Sequence, residues 1–130
     1  MSEMEQNKPG GHTILVAEDD VANFQYIHDT FKASGLTILH ALNGKEAIEL
    51  CENHPEIRLV MMDVMMPVMS GFRASQEIRK IRPDVPIIIL TAYVSQESIR
   101  DAVLSGCNDY FAKPIGPEEL RTVLKKWLIG

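Results

Sequence analysis

A doubly wound α/β domain, with five parallel strands between two layers of helices, is the fold this sequence predicts. Short β-branched apolar runs alternate five times with stretches of helical periodicity. The connections between them are short, which implies right-handed crossovers and parallel strands. The most strand-like run, Pro86–Thr91, is apolar at both alternating sets of positions, as a central strand covered on both faces must be.

Met1–His12 is polar and aperiodic and ends in a Pro-Gly-Gly breaker, so it reads as a flexible tail or linker ahead of a domain over residues 13–130. Thr13–Ala17 is a buried strand that stops at Glu18, Asp19 and Asp20. Phe24, Ile27 or His28, and Phe31 recur at helical spacing until Gly35 supplies a stop. Leu36–His40 is the second strand. Asn43 and Glu46 have the spacing of a capping box, and Ala47, Ile48 and Cys51 give the next helix its apolar face. Leu59–Met62 form a strand delivering Asp63 to its C-terminal end, and Pro67 forces a turn. The spacing predicts a helix over Gly71–Ile81, buried through Phe72, Ser75, Ile78 and Ile81 and ended by Arg82-Pro83-Asp84. After the fourth strand, Ser95–Ser105 carries Ile99, Ala102 and Val103 at helical spacing and Gly106 closes it. Asn108–Ala112 is the fifth strand. Pro117 at a first helical position, followed by Glu118 and Glu119, opens a last helix whose stripe is Leu120, Val123, Leu124, Trp127 and Leu128.

Composition narrows the function. A chain of 130 residues with 45% hydrophobic and 24% charged content suits one globular domain. No apolar run reaches membrane-spanning length and the first residues lack a secretory pattern, so a cytoplasmic location is expected. The net charge of −5 disfavours direct nucleic-acid binding, which needs clustered cations. Cys51 and Cys107 lack CxxC spacing and read as reduced thiols, and the scattered His12, His28, His40 and His54 do not form a metal-binding pattern. Five of the seven methionines lie between Met61 and Met69 and read as soft core filler.

Parallel strands present their C-terminal ends on one side, so residues just past those ends can converge. Glu18, Asp19 and Asp20 follow the first strand, Asp63 the third, Thr91 the fourth and Lys113 the fifth. Singly, each has an ordinary explanation: a helix cap, a local backbone bond, a solvated surface charge. Together at successive strand ends they suggest chemistry. Clustered carboxylates repel one another, and a hard divalent cation such as Mg²⁺ relieves them. A lysine and a threonine hydroxyl opposite such a cation suit phosphoryl oxygens, leaving Asp63 as a nucleophile that becomes an acyl phosphate.

Over Thr13 to Leu128 the sequence resembles the receiver domains of two-component response regulators. The matching segments are Ile14–Asp20, Asn43–Ala47, Met62–Gly71, Leu90–Ala92 and Tyr110–Pro114. The resemblance implies a flavodoxin-like sheet of order 2-1-3-4-5 and phosphoryl transfer to Asp63 from a phosphohistidine of a histidine kinase or histidine phosphotransfer domain. It also implies Mg²⁺ held by Glu18, Asp19, Asp63 and the Met65 carbonyl, directly or through water. Lys113 and Thr91 would contact the phosphoryl group, and Tyr110 would turn inward when Thr91 moves. Asp20 is left as a helix cap or an outer member of the site. A cis Lys113–Pro114 bond and an output surface on the fourth helix, fifth strand and fifth helix follow from the same resemblance. Ser70 and Arg73 depart from acidic residues common in the family. Met65 and Tyr93 would flank the route of attacking water and slow self-dephosphorylation. The segment Cys107–Pro114 resembles receivers fused to hybrid sensor kinases, so the expected setting is one domain of a larger parent, which a membrane sensor kinase would tether.

Two other readings compete. An aspartyl-phosphate phosphohydrolase would need a second Asp two residues after the nucleophile, where this chain has Met65. A receiver-like interaction module that takes no phosphate would have no need for the full set of residues present here.

Overall fold

The computed structural model describes residues 11–129. Among them, five strands alternate with five α-helices: β1 (Thr13–Ala17), α1 (Val21–Lys32), β2 (Thr37–Ala41), α2 (Gly44–Asn53), β3 (Ile57–Asp63), α3 (Gly71–Ile81), β4 (Ile87–Thr91), α4 (Gln96–Ser105), β5 (Asp109–Ala112) and α5 (Pro117–Leu124), which a π-helical segment over Lys125–Ile129 continues. The sheet is parallel with order β2-β1-β3-β4-β5, the flavodoxin-like arrangement. The expected tail lies outside the described residues except for Gly11 and His12. These two already belong to the fold: the Gly11 N–H donates to the Gly35 carbonyl and the Thr37 N–H to the His12 carbonyl.

Strand pleating divides the core in two, because successive side chains point to opposite faces. Leu15, Ala17, Val60, Met62, Ile87 and Ile89 meet Ala47 and Cys51 of α2 and Ala74 and Ile78 of α3. Ile14, Val16, Leu59, Met61, Ile88 and Leu90 meet Ile27 and Phe31 of α1 and Leu120, Val123 and Leu124 of α5. Met61 and Met62 are fully buried core, while Met65 is exposed on the following loop.

Local chemistry sets where the helices start. Asp20, Asn43, Ser70 and Ser95 each accept an N–H from the first turn that follows. At α2 the expected capping box is displaced: Glu46 Oε1 accepts the N–H of Leu42, the residue before the Asn43 cap, at 2.8 Å. At α5 the Glu119 carboxylate takes the Gly116 N–H instead, at 3.0 Å.

Two expected burial stripes are corrected. On α3 the buried set is Gly71, Ala74, Ser75 and Ile78, with Phe72 packed at its margin, and Ile81, the last helical residue, is exposed. On α4 only Ala102 and Ser105 are buried, and Ile99, Val103 and Leu104 face outward. Helical periodicity identifies an apolar face but not whether anything covers it.

The β3–α3 loop holds a turn that the sequence did not signal. The Met69 N–H reaches back to the Pro67 carbonyl at 2.7 Å, and Val68 between them sits at φ 71°. That is a left-handed conformation disfavoured for a β-branched residue, and the side chain is 76% exposed, so it gains little packing in return. We expect Val68→Asn to raise stability by about 1 kcal/mol in urea unfolding, since Asn tolerates this region. A loss of stability would show that the Val68 backbone is not strained.

Candidate functional site

Inter-strand register brings the candidate residues to one level. Ala17 lies opposite Met62, Asp63 opposite Leu90 and Thr91 opposite Ala112. Backbone bonds extend the alignment past the strand ends: Glu18 N–H to the Ala41 carbonyl, Val64 N–H to that of Leu90, and Lys113 N–H to that of Thr91 at 2.7 Å. Glu18, Asp63, Thr91 and Lys113, at or just past the ends of β1, β3, β4 and β5, therefore share the C-terminal edge of the sheet.

There Glu18 and Asp63 are buried and Asp19 is exposed, yet carboxylate oxygens of all three lie within 4.8 Å of one another. Lys113 Nζ is 3.0 Å from Glu18 Oε1 and 3.3 Å from Asp63 Oδ1. The Lys113–Pro114 peptide is cis.

The two buried carboxylates differ in how well they are supplied with donors. Burial pushes both upward. Glu18 nevertheless ends below its ordinary value, because Asn23, Lys113, Asp63 and the Asp20 N–H all bond to it. Asp63 is pushed up to about 7, by burial first and then by the proximity of Glu18, with only Lys113 opposing. The opposite directions of the two shifts favour a proton on Asp63 over one on Glu18. Lys113 is raised by its two carboxylate partners against the effect of burial.

Thr91 and Tyr110 point elsewhere. The Thr91 hydroxyl donates to the Tyr93 carbonyl at 3.0 Å and accepts the Tyr93 N–H at 3.2 Å, which is the local backbone bond weighed as its ordinary role. The Tyr110 hydroxyl pairs with that of Ser98, in the first turn of α4, at 2.7 Å. Asp20 is the α1 cap. Met65 and Tyr93 are 68% and 75% exposed and line, with Thr91, Phe72 and Ser98, a cavity of about 210 Å³ between the β3–α3 loop and α4.

Sequence reasoning missed Asn23 and His40. The Asn23 amide donates to Glu18 Oε1. The His40 ring stacks on Phe24 with centroids 3.5 Å apart, and its Nε2 lies 2.7 Å from the Glu18 carbonyl. The only sequence signal was position: Asn23 falls in the first helical turn after the acidic run, and His40 lies one residue before the end of the neighbouring strand.

The donor set fits Mg²⁺. It consists of hard carboxylate oxygens from three residues within 4.8 Å of one another, faced by the single ammonium of Lys113. No helix among the described residues is long and apolar enough to cross a membrane.

Comparison with known proteins agrees with this arrangement. Residues 14–125 match the family model described as response regulator receiver domain. The chain is 34% identical over 109 residues to a cyclic di-GMP phosphodiesterase of Thermotoga maritima, covering 84% of this chain and 29% of that protein. It is 32% identical over 124 residues to the sensor histidine kinase CheAY of Helicobacter pylori, covering 93% of this chain and 15% of that one. Both relatives are thus several times longer than the part this chain matches. Among solved structures, the Saccharomyces cerevisiae receiver domain of Ssk1, crystallised with the histidine phosphotransfer protein Ypd1, superposes with a TM-score of 0.83 at 31% identity over 90% of this chain and 88% of that one. Sequence match, strand order and the acidic cleft at the sheet's C-terminal edge agree, and the chain belongs to the response regulator receiver domains of two-component signalling.

Proposed function

We propose that Asp63 is the phosphoacceptor of this receiver, taking a phosphoryl group from a phosphohistidine on a histidine kinase or histidine phosphotransfer domain. The observation that carries this reading is the Lys113 ammonium poised between Glu18 and Asp63 in a three-carboxylate cleft. In the transfer, an Asp63 oxygen forms a bond to phosphorus as the phosphorus–nitrogen bond to the imidazole breaks, and the electron pair leaves on the ring. Asp63 must be ionised to attack. Glu18, Asp19, Asp63 and the Met65 carbonyl would hold Mg²⁺, which when bound supplies positive charge to the phosphoryl oxygens. Lys113 keeps a compact positive charge beside the same oxygens.

Phosphorylation adds close to two negative charges at Asp63. The Thr91 hydroxyl then gains a better acceptor than the Tyr93 carbonyl, and the β4–α4 loop and the Tyr110–Ser98 pair shift with it. The output surface would be α4, β5 and α5, where Ile99, Val103 and Leu104 are exposed. The incoming phosphodonor would approach over α1 and the β5–α5 loop, where Ala22, Tyr26, Ile115 and Pro117 line a shallow, mainly apolar hollow. A regulatory receiver within a longer cytoplasmic parent, with a linker ahead of Gly11, is the setting this reading favours. It assigns the chain no activity beyond its own phosphorylation and dephosphorylation.

Incubation with a small-molecule phosphodonor and Mg²⁺, followed by intact mass measurement, tests the proposal. One stable phosphate-sized adduct per chain is expected. Multiple turnover of the donor would indicate a phosphohydrolase, and an unchanged mass an interaction module. We also expect Met65→Asn with Tyr93→Ser to shorten the lifetime of the adduct several-fold, because both side chains line the cavity next to Thr91 and Val64, the residue after Asp63. An unchanged decay rate would mean they do not screen the acyl phosphate from water.

A further inference from the structure

We propose that Asn23 is a positioning residue, holding the Glu18 carboxylate in the orientation that the cation site requires. The inference rests on the reading of Glu18 as part of that site. The Glu18 side chain reaches the cleft from a loop, and three donors converge on it: the Asn23 amide and Lys113 Nζ on Oε1, and the Asp20 N–H on Oε2 at 3.2 Å. Lys113 is divided between Glu18 and Asp63, so its hold on Glu18 weakens whenever it turns toward charge gathering at Asp63. The Asp20 N–H is tied to the loop that it would have to steady. Asn23 alone reaches Glu18 from a helix.

The geometry around Asn23 is built for this. Its backbone N–H donates to Asp20 Oδ1 at 2.8 Å, which fixes the residue in the first turn of α1 and turns its side chain back toward the strand end. The next residue, Phe24, stacks on His40, whose Nε2 meets the Glu18 carbonyl, so the same turn braces the main chain of Glu18. An amide has a further advantage at this place. It donates to the carboxylate without adding a charge that would compete with a cation, as a second lysine would. The ordinary alternative is a surface asparagine that merely helps start α1, and that role would not alter metal binding.

The test is a Mg²⁺ titration followed by backbone amide shifts, with wild type, Asn23→Ala and Asn23→Ser, each also in a Glu18→Gln background. Alanine suits a helical turn, and serine is polar but too short to reach Oε1, so two variants guard against loss of fold. We expect both to fold, with a modest drop in metal-free melting temperature because the buried Glu18 loses a donor, and to bind Mg²⁺ at least about tenfold more weakly, the size usual for residues that orient a ligand. In the Glu18→Gln background the same substitutions should add almost nothing, since the effect passes through Glu18. Affinity within about twofold of wild type, or a loss equally large without the Glu18 carboxylate, overturns the proposal. If wild type itself shows no Mg²⁺-dependent shifts, the cation site fails, and the inference falls with it for that separate reason.

Discussion

Asp63→Asn is expected to abolish the phosphate adduct completely and, in metal-free buffer at neutral pH, to melt at a higher temperature than wild type. The first effect follows because an amide is not a nucleophile at this site. The second follows from what the carboxylate costs the fold. Asp63 is raised from 3.8 to about 7, by burial and then by Glu18. A carboxyl raised in the folded state contributes stability below pH 4 that is lost as pH climbs through about 7. The asparagine has nothing to ionise, so its advantage should be absent near pH 4 and grow toward pH 7. Glu18, shifted the other way, and the lost attraction to Lys113 offset part of it, leaving on the order of 2 kcal/mol. Mg²⁺ should narrow the difference by stabilising wild type more than the variant. Melting curves at several pH values with and without Mg²⁺ decide it, and parallel pH trends for the two proteins would mean that Asp63 is not strained by its surroundings.

Gly71→Ala should destabilise the protein by about 3 kcal/mol, roughly 10 °C in Tm, although alanine is the better helix former. Gly71 opens α3 directly against the end of β3. A Cβ there would collide with the Asp63 carbonyl oxygen and lie 2.8 Å from its carbon and 2.9 Å from Met62 Cγ. Neither side can give way easily. Asp63 is registered against Leu90 on β4, and the Gly71 N–H donates to the Val64 carbonyl at 3.0 Å. Any relaxation moves Asp63, so if it is the phosphoacceptor as proposed, slower adduct formation should accompany the stability loss. Gly116→Ala is the control, since its Cβ meets only Glu119 Oε1, at 3.5 Å, and a cost below about 1 kcal/mol is expected there. Wild-type melting of the Gly71 variant would show that helix and strand can separate freely at this point.

Much of the fold was legible because it depends on neighbours in sequence. Gly71–Ile81 could be bounded correctly from its apolar spacing, its glycine start and the Arg82-Pro83 stop. Strand edges shifted by a residue or two, as with β2 at Thr37–Ala41, because the last paired residue depends on the partner strand. The outward faces of Ile99 and Val103 were not legible, nor was Val68 at positive φ, since burial and loop closure are decided by what packs nearby.

The amino-acid order by itself determined the alternation of strands and helices, the parallel sheet and the delivery of acidic residues, a threonine and a lysine to strand ends, because periodicity and chain-breaking residues act locally. Tertiary structure alone decided which atoms meet. Lys113 lies between Glu18 and Asp63 because pairing of distant strands levels their ends, and the Thr91 hydroxyl turns to Tyr93 because a backbone carbonyl is within its reach. Asn23 took a place in the site only because a helix cap aimed it there. Contacts of this kind arise from competition among donors and acceptors that a folded chain brings together, and separation along the sequence carries no trace of it.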